Sequence, residues 1–156
     1  MRASAPLLPE LLQKVSRSFG LSIRLLPQAL REPVGVAYLL ARISDTVADS
    51  AAAPVVQRLA LLDQLALGWQ DQASAATQAA LVRALCEFAP QVSDPHEKAL
   101  LAQGQACLQV LAQQRPHDQA LIREVLAAIT EGQRWDLCAL DATGQGVRSE
   151  LEVEIG

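Results

Sequence analysis

The sequence predicts an all-α, bundle-like domain, and three observations carry that expectation. Hydrophobic residues make up 51% of the 156-residue chain and charged residues only 19%. That is enough apolar surface for one sizeable core and too much for a disordered chain. Aromatic residues are 3%, so the core falls to Leu, Ala and Val, a mixture led by strong helix formers. Apolar residues recur at intervals of three and four, and no stretch alternates with the period of two that a half-buried strand requires.

The elements follow in order. A first helix is expected from about Pro9 to Phe19, and "LLPQALREP" reads as a break or short turn punctuated by Pro27 and Pro33. Pro33 suits the first turn of the next helix, where its missing N–H costs nothing, so that helix is expected from about Pro33 to Ser50. "AAAPVVQRLALLDQLALGWQ" begins a third helix, with Pro54 near its start. "SAATQAALVRALCEFA" is a fourth, stopped by Pro90. "SDPHEKALLAQGQACLQVLAQQ" carries a strong start signal: Asp94 as cap, Pro95 at the first helical position and Glu97 placed to complete a capping box. The last helix is expected from about His117 to Leu140. These six helices with short connections describe one bundle without a fixed-period repeat. Beyond them "LDATGQGVRSELEVEIG" changes character, with Gly144 and Gly146 as breakers and acids gathered after Ser149, so residues 141–156 read as a loop or irregular tail.

Charge and cysteine content exclude several classes. The net charge of −4 argues against a nucleic-acid partner, which needs a basic face to neutralise phosphates. Cys86, Cys107 and Cys138 are far apart and form no CxxC, so neither a disulfide framework nor a thiolate zinc site is suggested and a reducing compartment fits best. The segment "MRASAPLLPELLQKVSRSFG" lacks a long apolar run and is broken by Pro6 and Pro9. It reads as neither a signal peptide nor a spanning helix, and a soluble, cytoplasmic protein is expected.

One helix carries the chemistry. In "PVGVAYLLARISDTVADS" the residues Tyr38, Arg42, Asp45 and Asp49 fall on one stripe at about 100° per residue, opposite Val36, Leu40, Ile43 and Val47. Two readings of the stripe stand side by side. Any surface helix shows a polar line opposite an apolar one, with Arg42 and Asp45 as an exposed pair worth a few tenths of a kcal/mol. Alternatively, two carboxylates four apart project side by side, about 5–6 Å between Cβ atoms. That suits Mg²⁺, which keeps several waters and takes one or two carboxylates plus substrate phosphates. Arg42 would then meet a phosphate oxygen and Tyr38 would add a phenolic hydrogen bond.

The wider sequence resembles a known family. "SRSFGLSIRLLPQALREPVGVAYLLARISDTVADS", residues 16–50, is similar to the N-terminal signature of the squalene/phytoene synthases, head-to-head prenyl transferases of the all-α isoprenoid synthase fold. The likeness runs through the "SRSF" opening, the "LP…LR" segment and "YLLARISDTVAD", which looks like the family's first aspartate-rich motif. "EGQRWDL", residues 131–137, resembles more weakly the family's "GM…DL" segment. The resemblance implies that Asp45 and Asp49 bind Mg²⁺, that Arg42 and Tyr38 contact a prenyl diphosphate, and that Ser16, Arg17 and Ser18, at the end of the first helix, help to hold a diphosphate. Helix-end capping is the plainer role for Ser16 and Ser18 taken alone. Phe19 is expected in the core or a pocket wall, and Asp136 as a solvated helix acid. Ala48 stands where many members carry Glu, with both ends of the motif intact.

The implied reaction joins two prenyl diphosphates, farnesyl or geranylgeranyl. Mg²⁺ neutralises the departing diphosphate, an allylic cation forms in a water-free apolar tunnel, and a second prenyl diphosphate attacks it to give a cyclopropyl intermediate. Rearrangement leads to squalene, with NADPH as reductant, or to phytoene. Members of the family are much longer, and neither their second aspartate-rich motif nor the small-residue helix lining the tunnel is matched here. The expectation is therefore the N-terminal half of a synthase-like domain over residues 1–156, inactive alone. It would pair with itself or with a chain carrying the missing half, and lie near a membrane only through its apolar product. A non-catalytic subunit and a structural helical module are the alternatives.

Overall fold

A computed structural model describes Leu12, residues 16–71 and residues 73–143. Among the described residues there are seven α-helices and no strand: α1 (Arg17–Ile23), α2 (Gln28–Asp49), α3 (Val55–Gly68), α4 (Ala75–Phe88), α5 (Pro95–Ala102), α6 (Gly104–Ala112) and α7 (Pro116–Thr143), with a 3₁₀ turn at Ala89–Gln91. The all-α expectation holds, and the proline and serine punctuation is legible throughout. Pro54 precedes α3, Ser74 caps α4 by accepting from the Thr77 N–H at 3.0 Å, and Asp94 caps α5 by accepting from the N–H groups of His96 and Glu97.

Four boundaries differ from expectation. The expected first helix lies largely outside the described residues; the carbonyl of the helical Leu12 accepts from the Ser16 N–H at 2.8 Å, and a new helix, α1, begins at Ser16 where one continuous helix to Phe19 was expected. Ser16 is extended (φ −150°, ψ 103°), and its hydroxyl accepts from the Phe19 N–H at 3.3 Å, which replaces a missing intrahelical acceptor. The second helix starts at Gln28 rather than Pro33, because Pro27 opens it and its carbonyl already accepts from Leu30 N–H at 2.9 Å. Pro33 therefore sits buried in the second turn, where the Ala29 carbonyl loses its in-helix donor. The single helix expected over residues 93–114 is two. Gln103 leaves helical geometry (φ −100°, ψ 14°), and α6 restarts at Gly104, hard against α4. A Cβ at Gly104 would lie 2.8 Å from Leu85 Cδ1, so the missing side chain is what allows this approach. Finally, α7 continues through Asp141–Thr143, into the segment expected as tail; residues 144–156 lie outside the described residues.

The 22-residue α2 is the centre of the fold. It packs against α1, α3, α5, α6 and α7. Val36, Leu39, Leu40, Ile43 and Val47 are buried and meet Leu62 and Leu65 of α3, Leu81 and Leu85 of α4, Leu100 and Leu101 of α5, and Leu111 of α6 in one core. Each such side chain contributes roughly 1.5–3 kcal/mol by leaving water.

A polar link fixes α7 to the end of α3. The buried Trp69 donates its indole N–H to Thr130 Oγ1 at 2.7 Å, and the Thr130 hydroxyl donates to the Leu126 carbonyl at 2.8 Å. Arg123 donates to the carbonyls of Trp69 and Gln70, capping the C-terminal end of α3, and Arg134 pairs with Asp63. Thr130→Val should cost about 1–3 kcal/mol, because it strands a buried donor without an acceptor. Thr130→Ser should cost much less. Urea unfolding followed by far-ultraviolet circular dichroism checks this, and equal midpoints for wild type and Thr130→Val would refute it.

Candidate metal and diphosphate site on the central helix

The apolar face read from the sequence is buried: Val36, Leu40, Ile43 and Val47 are all 0–1% exposed. Tyr38, Arg42 and Asp45 of the polar stripe are half-buried and Asp49 is exposed. Arg42 meets α5, Asp45 meets α7 and Tyr38 meets α1.

At the N-terminal end, Tyr38 is half-buried and stacks on Phe19 of α1, with ring centroids 4.0 Å apart and 16° between planes. This contact carries the "SRSF" segment to the stripe. Ser16 serves as the α1 cap, and Ser18 is exposed in the first turn. Arg17 is the first residue of α1, and its side chain lies outside what is described.

One turn on, Arg42 reaches across to α5. Its Nη2 pairs with Glu97 Oε1, the same oxygen that accepts from the Thr46 hydroxyl at 2.8 Å. Its Nη1 lies 4.0 Å from Asp45 Oδ2, and its Nε is buried without a hydrogen-bond partner. Glu97 therefore does not complete the capping box expected of it. Asp94 supplies the cap alone, and two backbone N–H bonds hold its carboxyl below the usual range.

Asp45 turns towards α7. Gln133 Nε2 donates to Asp45 Oδ1 at 2.5 Å, while Gln133 Oε1 accepts from the hydroxyl of Ser44, which is 0% exposed. Burial pushes the Asp45 carboxyl above its ordinary value. Arg42 opposes this, Asp49 reinforces it, Gln133 opposes it, and Glu97 adds to it. Asp49, a turn later, is exposed. With Arg42, Thr46, Gln91, Asp94 and Glu97 it lines a cavity of about 340 Å³ between the end of α2 and the start of α5. Larger hollows lie between α3 and α7 and between α4 and α6, and neither includes a stripe residue.

The structure thus keeps Tyr38, Arg42, Asp45 and Asp49 along one side of α2, with Phe19 stacked at the Tyr38 end and Arg42 and Asp49 lining one cavity. Sequence reasoning missed Glu97, Thr46, Ser44 and Gln133 as members of the same network. Ser44 and Thr46 had a signal: small hydroxyl residues on a helix with little exposed surface point to cross-helix hydrogen bonds. Glu97 was hidden by the capping role that its position suggested. Gln133, 88 residues from Asp45, had no local signal.

The residues suit a hard divalent cation. Two carboxylates a turn apart, one half-buried and unfavourably charged beside two further acids, form a place that a cation would relieve. Among the described residues no group of three or more His, Cys, Asp or Glu is placed to hold a metal ion. The two aspartates would therefore leave several positions to water and phosphate.

The squalene/phytoene synthase family matches this chain over residues 12–147. A squalene synthase of Botryococcus braunii is 50% identical over 52 residues, covering 33% of this chain and 11% of that protein. A squalene synthase of Solanum lycopersicum is 46% identical over 52 residues, covering 33% of this chain and 13% of that protein. No solved structure matches. The family match spans most of the chain and includes the whole polar stripe, the "SRSF" segment and "EGQRWDL": the chain belongs to the squalene/phytoene synthase family.

Proposed function

We propose that this chain forms one side of a Mg²⁺–diphosphate site for the head-to-head condensation of two prenyl diphosphates. The observation that carries the proposal is Arg42, Asp45 and Asp49 in helical register on α2, with Arg42 and Asp49 lining the cavity beside α5 and Asp45 half-buried next to Arg42. Asp45 and Asp49 would hold the cation. When bound, Mg²⁺ supplies charge neutralisation to a departing diphosphate. Arg42 offers the diphosphate the donors that Glu97 leaves free, since a guanidinium carries five N–H groups. The Phe19–Tyr38 stack gives an apolar wall beside the charged end, suited to a prenyl chain. NADPH enters only if the final product is squalene.

Partner and location proposals rest on the surface. Leu121, Val125 and Trp135 are 50%, 53% and 77% exposed and fall on one side of α7, a face that pairing with a second chain would cover. No helix among the described residues is long and apolar enough to cross a membrane, so any membrane contact would be peripheral, through the apolar product. A non-catalytic helical module remains the second reading, favoured by one observation: Arg42 is already paired with Glu97.

Three outcomes are expected. In thermal-shift measurements, Mg²⁺ with a farnesyl diphosphate analogue should raise the wild-type melting temperature and leave the Asp45→Asn/Asp49→Asn double variant unmoved; equal shifts would support the non-catalytic reading. Without cation, Asp45→Asn should be at least as stable as wild type at neutral pH. A carboxyl raised in the folded state binds its proton more tightly there than when unfolded, so wild-type stability falls as pH rises through that raised value, and the variant lacks this loss. Parallel denaturation curves from acid to neutral pH for the two proteins would contradict the burial cost. Lastly, these 156 residues with Mg²⁺ and farnesyl or geranylgeranyl diphosphate should give no turnover, since the second aspartate-rich motif expected of a complete site is not matched in this sequence; product detected by chromatography would overturn this.

A further inference from the structure

Gln133 lies on α7, and both ends of its side-chain amide are engaged by successive residues of α2. Ser44, fully buried, donates its hydroxyl hydrogen to Oε1. Nε2 then faces Asp45 and donates to Oδ1 at 2.5 Å. The two bonds depend on each other. An ionised carboxylate only accepts, so the reversed amide would set two oxygens against each other. The Ser44 hydroxyl, able to donate or accept, takes the donor role that this orientation requires and holds the far end of the amide in place.

The geometry divides the Asp45 carboxylate. Oδ1 is occupied by the amide, and Oδ2 lies 4.0 Å from Arg42 Nη1. Arg42 and Asp49 line the neighbouring cavity, and Ser44, Asp45 and Gln133 do not. We propose that Gln133, anchored by Ser44, is a positioning residue that fixes the Asp45 carboxylate so that Oδ2 is left for a cation. The inference rests on the proposed role of Asp45 as a metal ligand and adds the groups that aim it. Residues that hydrogen-bond a ligating group in this way fix its orientation without touching the metal.

The test uses the chain itself, with Mn²⁺ as the metal and inorganic pyrophosphate as the anion. In metal-free protein, the ¹⁵N-resolved Gln133 side-chain amide should show two well-separated proton shifts and slowed exchange. Ser44→Ala should collapse this signature, and Ser44→Thr should keep it. By electron paramagnetic resonance titration, Gln133→Met, similar in length but with no amide, should weaken Mn²⁺ binding about 10- to 100-fold, the usual range for losing such a partner. Ser44→Ala should weaken it in the same direction, with rescue by Ser44→Thr. Wild-type affinity in Gln133→Met together with lost affinity in Asp45→Asn would overturn the positioning role and leave the metal site standing. Wild-type affinity in Asp45→Asn, or no Mn²⁺ site in the wild type, would overturn both. A Gln133 amide indifferent to Ser44→Ala would overturn the positioning role without reference to metal.

Discussion

A helix packed against five others buries much of its middle, so the polar groups it carries there must find partners in the protein. That constraint governs α2. Its hydrophobic residues are Val36, Leu39, Leu40, Ile43 and Val47, and they hold the domain together. Its polar residues are the expensive part. Burying a hydroxyl or a charge without a partner costs more than a net hydrogen bond returns. The structure meets this cost from opposite sides: Glu97 on α5 takes Arg42 and Thr46, and Gln133 on α7 takes Ser44 and Asp45. The remaining acid, Asp49, sits at the end of the helix, where it reaches solvent.

The result is a charge distribution that favours a cation without containing one of sufficient strength. Arg42 is the positive group among Asp45, Asp49, Asp94 and Glu97, and it is already paired with Glu97. Asp45 therefore remains electrostatically uncomfortable, its carboxyl raised by burial and by its acidic neighbours. Sites that place unfavourable charge together in a folded protein are often where a ligand supplies the balance. The link to function runs through this imbalance. Asp49 reaches solvent, whereas Asp45 is half-buried and tied to Gln133.

Much of this was legible in the sequence, for physical reasons that differ by residue. The helical stripe and its apolar opposite follow from a fixed 100° rotation per residue, so Tyr38, Arg42, Asp45 and Asp49 could be placed together before any coordinates. Proline and small polar residues act locally, so Pro54, Ser74 and Asp94 mark real beginnings. Pro33 misled, because a long helix with ample packing tolerates the loss of one backbone bond. The split at Gln103–Gly104 depends on Leu85, a residue of another helix, and local pattern does not encode that. The same holds for the site. Glu97 and Gln133 lie 55 and 88 residues from their partners, and only the packing of α5 and α7 against α2 brings them there. Residues that make the stripe were readable; residues that hold it were not.

The central claim is that the gap beside α2, and no other hollow of the fold, receives the cation and diphosphate. Paramagnetic broadening of a ¹⁵N-labelled sample by sub-stoichiometric Mn²⁺ with pyrophosphate tests it directly. Broadening should centre on backbone amides from Arg42 to Ser50 and fall away towards the groove between α4 and α6, around Val82 and Leu108. Broadening centred on another surface, or unchanged in Asp45→Asn/Asp49→Asn, would contradict the assignment of the site.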